Sequence, residues 1–268
     1  MNEAELRPVN GDFVRFVRVV KSFGPKQVYA DLSLSVRRGE ILTLLGGSGT
    51  GKSVALKLLI GLLTADGGRI EVDGVDVSHF TEEQFLPIRR RISMLFQSSA
   101  LFDSLTVGEN VAYPLNVAGG FGPAEIRDRV AERLEMVGLP ATEDMKPSDL
   151  SGGMRKRIGL ARAIAADPEM ILYDEPTTGL DPINTRRINE LILSIQARLR
   201  VTSLVVTHDL PSAFMVSNRV AMLSQGRIVA ELPGDEFRHS SEKAIQDFMA
   251  AMPVGAYRPQ AARPEEVS

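Results

Sequence analysis

The sequence of 268 residues contains no cysteine. That excludes disulfides, zinc–thiolate centres and a thiol nucleophile, and it fits a reducing compartment. A membrane-spanning run is also lacking. The most apolar stretch, Val54 to Leu63, is interrupted by Lys57 and is far short of the roughly 20 residues that cross a bilayer. There is no excess of basic charge: the net charge is −3, so binding to nucleic acid through bulk charge is not indicated. Met1 to Asn10 hold no apolar core of the kind a secretory leader has. Internal repeats and low-complexity tracts are absent as well. A role at a membrane would therefore need another chain to supply the membrane part. What is present is an ordinary globular balance, 44% hydrophobic and 24% charged, in a chain long enough for a large core in one or two domains.

Phe13 to Val20 and Asp31 to Val36 alternate apolar and polar residues, the period of half-exposed strands. Glu40 to Leu45 is a mostly apolar run suited to a strand buried on both faces. A glycine-rich loop follows, then helical spacing from Lys52 to Leu63. Arg69 to Val72 and Val75 to Val77 flank Asp73-Gly74, a strong hairpin signal. From about Gln97 to Arg162 strand-like runs vanish, and helices are expected at Ala124 to Val137 and Ser151 to Ala166. Strand signals return at Met170 to Tyr173 and Ser203 to Thr207, separated by a helix near Asn184 to Leu199. Val220 to Ser224 and Arg227 to Leu232 should pair across Gln225-Gly226. The pattern is an α/β core interrupted by a helical insert. A helix is expected at Ser241 to Met252, and Pro253 to Ser268 should be extended. The runs Arg89-Arg90-Arg91 and Arg155-Lys156-Arg157 read as solvated helix faces.

Three motifs carry chemistry. Gly46-Gly47-Ser48-Gly49-Thr50-Gly51-Lys52-Ser53 fits the phosphate-loop pattern G-x4-G-K-[ST]. Its glycines allow positive φ and leave no side chain in the way of phosphate oxygens. Successive N–H groups and the following helix N-terminus favour an anion. Lys52 supplies a mobile positive charge for the β- and γ-phosphates, and Ser53 a hydroxyl for Mg²⁺. At average residue usage a chance match in such a chain is about a 1-in-100 event, and the flanking strand and helix make it rarer.

In the second motif, Met170-Ile171-Leu172-Tyr173 delivers Asp174 and Glu175 to the C-terminal edge of a buried strand, where ligands bind in open parallel sheets. Alone, such a pair equally fits a helix cap or a solvated strand end. Beside a phosphate loop, Asp174 reads as holding Mg²⁺ through water and Glu175 as the general base for the attacking water. The third motif is Leu150-Ser151-Gly152-Gly153-Met154. Ser151 can cap the helix that follows, and the two glycines expose its N–H groups, an anion site with no lysine of its own. Alone, Ser-Gly-Gly is an ordinary turn.

Phosphate loop, Ser-Gly-Gly turn and acidic strand, in this order, make about residues 13 to 235 resemble the ATPase subunit of ABC (ATP-binding cassette) transporters. The resemblance implies an α/β fold: a P-loop NTPase (RecA-like) core, an N-terminal antiparallel β subdomain and an inserted α-helical subdomain at about 97–162. Residues 1–235 would be the ATP-binding domain and 236–268 a C-terminal helix and extended tail. Its cofactors would be ATP and Mg²⁺. Ser151, Gly152 and Gly153 would bind the γ-phosphate held by a partner subunit, so that a head-to-tail homodimer completes two sites. Gln97 would reach Mg²⁺ and sense the membrane subunit, and His208 would contact the γ-phosphate. Asp181 would lie at the dimer seam, and Phe23 would stack on adenine. Without the resemblance, Gln97 is a surface amide, His208 a structural residue, Asp181-Pro182 a turn and Phe23 a core residue. Met154 stands where many ABC proteins have Gln, and any polar contact from there is lost.

Within that family, Arg91 to Phe102, Asn110 to Leu115, Met154 and a tail with Phe248-Met249 then Tyr257-Arg258-Pro259 look like the Mla-type ATPases. These energise phospholipid transport between the membranes of Gram-negative cells. That branch implies two copies of this chain on an integral membrane permease, at the cytoplasmic face of the inner membrane. The permease would dock in a groove walled by Gln97 to Phe102 and the helical insert. An MCE-domain protein would hold the lipid, and a STAS-domain protein would sit on the ATPase. Polar amino-acid importers have similar residues after Gln97 and stand as the alternative. A soluble ABC ATPase acting on DNA or ribosomes is disfavoured: the stretch from Gln97 to Leu150 has no room for a coiled coil, and the chain holds one cassette. A non-hydrolysing regulatory cassette is disfavoured because Lys52, Ser53, Gln97, Ser151, Asp174, Glu175 and His208 are all present.

Overall fold

The computed structural model describes residues 11–250; Tyr257-Arg258-Pro259 and the expected extended tail lie outside them. Strands β1 (Asp12–Phe23) and β2 (Lys26–Arg37) form a long antiparallel hairpin. The alternation read from the sequence marks its central rungs, and the ladder runs on to Phe23↔Lys26. β3 (Ile41–Leu45) is buried at every residue and leads through the glycine loop into α1 (Lys52–Leu59). β4 (Gly67–Val72) and β5 (Val75–Asp76) turn across Asp73-Gly74, with φ of 54° and 79° at the two turn residues. Positive φ at both positions suits the twist of a tight hairpin, which is why the Asp-Gly pair is legible in the sequence. β4 pairs with β1, giving an antiparallel sheet in the order β2-β1-β4-β5.

Next come α2 (Glu82–Arg91) and β6 (Ile92–Leu95). They precede α3 (Val107–Ala118), α4 (Pro123–Met136) and α5 (Gly152–Ile164). The sequence reading did not anticipate α2 or α3. Each contains a proline, Pro87 and Pro114, which argues against a helix, yet each opens with a capping box, Thr81/Gln84 and Thr106/Glu109. That reciprocal cap satisfies two end donors and was the overlooked signal. β7 (Met170–Asp174), α6 (Pro182–Leu199), β8 (Thr202–Thr207), α7 (Leu210–Val216) and β9 (Arg219–Ser224) complete the crossovers. β10 (Arg227–Pro233), α8 (Gly234–His239) and α9 (Lys243–Ala250) end the described chain.

The second sheet has the order β10-β9-β3-β8-β7-β6 and is parallel except for β10 at its edge. Its strands sort their side chains by alternation. Leu42, Leu44, Leu172, Leu204 and Val206 pack with α1 and the antiparallel sheet, while Ile41, Ile171, Tyr173 and Val205 pack with α3 to α6. Both faces are covered, so the strands read as apolar runs rather than as amphipathic ones. The fold is thus α/β, with an antiparallel sheet on one face and a helical insertion between β6 and β7.

The two basic runs are not uniformly solvated. Arg91 reaches Asp73 (2.7 Å) and Glu169, Arg89 donates to Ile60 O (2.8 Å), and of the three only Arg90 is exposed. Arg155 is exposed, but Lys156 is only 5% exposed and Arg157 donates to Gly138 O at 3.0 Å. In each run the helix turns more than one member toward backbone carbonyls or carboxylates that accept its hydrogen bonds.

Candidate nucleotide site

The C-terminal ends of β3, β7 and β8 open onto one cleft of about 650 Å³. At the end of β3 the glycine loop packs tightly on its surroundings. A Cβ on Gly46 would come within 2.7 Å of Leu223 O, and one on Gly51, at φ 106°, within 2.5 Å of a Val28 methyl. Buried Tyr29 pins the loop by donating its hydroxyl to Gly51 O at 2.6 Å. α1 has no side-chain cap, so the loop and the first turn of the helix present N–H groups to an anion. Ser48, Gly49, Gly51, Lys52 and Ser53 line the cleft. Lys52, at 5% exposure, donates to Gly46 O (2.9 Å) and Gly47 O (3.0 Å). Thr50 Oγ1 donates to Gly47 O at 2.9 Å and shapes the turn.

At the end of β7, Ser53 Oγ donates to Asp174 Oδ1 at 2.6 Å. Glu175 follows with φ 48°, a left-handed backbone unusual for a side chain of this kind. Its Oε1 lies 3.2 Å from Lys52 Nζ. Its Oε2 accepts from Thr178 (3.2 Å) and Thr207 (3.3 Å) and meets His208 Nδ1 at 2.9 Å. Burial is the largest single influence on Glu175 and favours the neutral acid. The His208 hydrogen bond and the charge of Lys52 together outweigh it, so the carboxyl is held below its ordinary range. The His208 hydrogen bond and the charge of Lys52 thus favour the ionised form of a buried carboxylate that faces the phosphate loop.

Gln97 and Phe23 line the same cleft. Phe23 is 45% exposed, which removes the core reading, and Lys21 Nζ stands 5.3 Å from its ring centre. Ser151 and Asp181 do not line this cleft. Ser151 caps α5, accepting from Met154 N at 3.2 Å, and Asp181 caps α6, accepting from Ile183 N and Asn184 N at 2.9 Å. The two caps abut: a Cβ on Gly153 would sit 2.7 Å from Asn184 Oδ1, and one on Gly152 4.0 Å from a Leu180 methyl. The chain therefore presents two separate surfaces, a cleft with Lys52 and Glu175 and a turn with Ser151 and Asp181.

The donor set fits Mg²⁺ with a polyphosphate. Ser53 hydroxyl, Asp174 carboxylate and Gln97 amide are hard oxygen ligands, and among the described residues no group of three or more His, Cys, Asp or Glu could hold a metal alone. A cation here would complete its shell with phosphate and water oxygens, as Mg²⁺ does.

Lys156, read from the sequence as part of a solvated face, is buried. It lies on the buried face of α5 with Gly153, Leu160 and Ile164, an i, i+4 register that carried the signal. Its Nζ donates to Gln97 O and, at 3.3 Å, to Glu175 O.

A family model described as "ABC transporter" matches residues 29–178. The chain belongs to the ABC transporter family. It is an ATPase cassette of that family, and the nucleotide and ion of such cassettes are ATP and Mg²⁺. It is 41% identical over 237 residues to a probable ribonucleotide transport ATP-binding protein, Mkl, of Mycobacterium leprae, covering 88% of this chain and 68% of that one. It is 42% identical over 220 residues to a methionine import ATP-binding protein, MetN, of Rhizobium johnstonii, covering 82% and 60%. The cassette thus spans about two thirds of the length of these curated relatives. Among solved structures, the dimeric cassette MJ0796 in a post-hydrolysis state with ADP and Pi is 31% identical, with a TM-score of 0.76 over 82% of this chain and 98% of that one. CbiO1 of Clostridium perfringens, part of the CbiONQ transporter complex, is 25% identical, with a TM-score of 0.79 over 91% and 97%.

Proposed function

We propose that this cassette hydrolyses ATP as a head-to-tail homodimer and thereby drives an integral membrane permease. The observation that carries the reading is the convergence of Lys52, Ser53, Asp174, Glu175 and His208 at one edge of the parallel sheet. Lys52 and the loop N–H groups hold the β- and γ-phosphates. Ser53, Asp174 and Gln97 hold the cation, which when bound neutralises phosphate charge. Glu175 orients and deprotonates the attacking water, with Thr207, Thr178 and His208 fixing its Oε2. His208, 45% exposed along its side chain, can turn from Glu175 toward a γ-phosphate. Phe23 stacks on adenine. Because Ser151, Gly152, Gly153 and Asp181 lie off this cleft, they serve the cleft of a second copy.

No helix among the described residues is long and apolar enough to cross a membrane, so the permease is a separate element in this reading. A second cavity, about 540 Å³, is its seat. Phe96, Ala100 and Phe102 line it from the loop side, Tyr113 and Val117 from α3, and Arg90 and Arg162 flank it. Gln97 faces the nucleotide cleft instead. Ser99, only 1% exposed, lies beneath the groove rather than in it. Phe102, Tyr113 and Val117 are 42%, 45% and 62% exposed, which suits a short amphipathic helix.

For the cargo we propose phospholipid, moved between inner and outer membranes with MCE-domain and STAS-domain partners at the cytoplasmic face of the inner membrane. Its support is sequence pattern: Met154 in the signature turn and the stretch from Arg91 to Leu115. The likeness to a methionine import ATPase favours a second reading, amino-acid import. Co-purification with the permease, followed by mass spectrometry of bound small molecules, tests both. Phospholipid with permease-dependent ATPase activity supports the first; a bound amino acid without lipid refutes it in favour of the second.

A further inference from the structure

α5 starts at the turn that would serve the partner's nucleotide, and its flank carries a stripe at i, i+3, i+6: Lys156, Gly159 and Arg162. All three grip the segment after β6. Lys156 Nζ donates to Gln97 O. A Cβ on Gly159 would come within 2.9 Å of a Leu95 methyl and 3.2 Å of Ser99 Cβ, so the helix lies directly on the loop. Arg162 donates to Ser99 O (2.6 Å) and Ala100 O (2.7 Å), two residues held at φ 63° and 44°. Lys156 alone reaches further, to Glu175 O at 3.3 Å. A nearly buried ammonium without such acceptors is costly, and here backbone carbonyls of two segments satisfy it.

We propose that Lys156 is a positioning residue that couples the two ATP sites of the dimer. It ties the helix that carries Ser151, which serves one site, to the backbone of Gln97 and Glu175, which serve the other. This rests on the head-to-tail ATPase reading. When Ser151 engages the partner's γ-phosphate, a shift of α5 along its axis moves Gln97 and Glu175 of its own chain through one side chain. Occupancy of one site then sets the geometry of the other, and the same link reports motion of the loop that floors the permease groove. Interior packing of this kind transmits displacement because it has few alternative arrangements.

The test measures steady-state ATPase activity of the full-length chain, alone and with its permease, for wild type, K156M and K156R, alongside ATP titration and thermal melts. Methionine keeps the length of the side chain and removes the donors; arginine restores donors. For K156M the expected result is a Hill coefficient falling from about 2 toward 1, kcat lowered about 5- to 20-fold, and ATP affinity unchanged, with K156R recovering part of both. K156Q is read the same way if K156M does not fold. Unchanged cooperativity and kcat in K156M overturn the proposal. So does a loss of kcat that tracks ATP affinity and melting temperature and is not recovered by K156R, which marks a packing role alone. If wild type itself does not hydrolyse ATP, or K52A hydrolyses it normally, the ATPase reading is what fails.

Discussion

Replacing Glu175 by glutamine removes a base and almost nothing else. The two side chains have the same shape, and the pocket around the carboxylate is defined on both oxygens. On one side, Lys52 Nζ lies 3.2 Å from Oε1. On the other, Thr178, Thr207 and His208 lie 3.2, 3.3 and 2.9 Å from Oε2. With the amide oxygen toward Lys52, the NH₂ meets two hydroxyls that can rotate to accept, so the fold is retained. Lys52 loses an anionic partner but keeps Gly46 O and Gly47 O at 2.9 and 3.0 Å, so it remains placed for phosphate. ATP binding should therefore persist at wild-type strength or tighter. Proton abstraction is lost. General-base removal typically costs about 10²- to 10⁴-fold, or roughly 2.7 to 5.4 kcal/mol of barrier. Single-turnover phosphate release gives the rate, equilibrium titration gives the affinity, and light scattering with Mg-ATP should show a stable dimer, because hydrolysis no longer separates the cassettes. Turnover less than about tenfold below wild type would refute the role of Glu175 as base.

Lys52→Ala should weaken ATP binding by about 10- to 100-fold, the scale of a charge-assisted hydrogen bond, and unchanged affinity in a titration would move the phosphate site elsewhere. Mixing Ser151→Arg chains with Lys52→Ala chains should recover part of the ATPase activity, because one site per heterodimer then keeps Lys52 from the first chain and Ser151 from the second. Heterodimers verified by mass and wholly inactive would count against the shared site. Acid stability should also follow the cluster at Asp73 and Glu169. For Asp73 burial is the largest influence and raises its pKa, but Arg38 and Arg91 outweigh it; for Glu169 the Arg91 hydrogen bond leads, and both carboxyls end below their ordinary range. Groups with depressed folded values stabilise the fold above the unfolded carboxylate range, about pH 4, and lose that contribution as pH falls through the folded values. Denaturation midpoints from about pH 6 to 3 should fall less steeply for Asp73→Asn than for wild type, and parallel curves would remove Asp73 from the account.

The sequence alone was enough for most elements whose signal is local. The glycine loop, the Asp73-Gly74 hairpin, the apolar runs of β3, β7 and β8, and the cap Ser151 depend on neighbours a few residues away, and each was legible; Asp181 read only as a turn or a seam residue, and the structure makes it a cap. The capping boxes at Thr81 and Thr106 were legible too, but the prolines inside α2 and α3 masked them. Tertiary structure decided what depends on distance in the chain. Only the parallel order of β3, β8 and β7 brings Ser53 to Asp174 and Lys52 to Glu175, residues more than a hundred positions apart. Only the seating of α5 on the loop after β6 turns Lys156 from one of three basic residues on a helix into a buried donor to two segments. Burial of a cation is set by which carbonyls surround it, and those carbonyls belong to the segments after β6 and β7, whose positions composition and periodicity cannot fix.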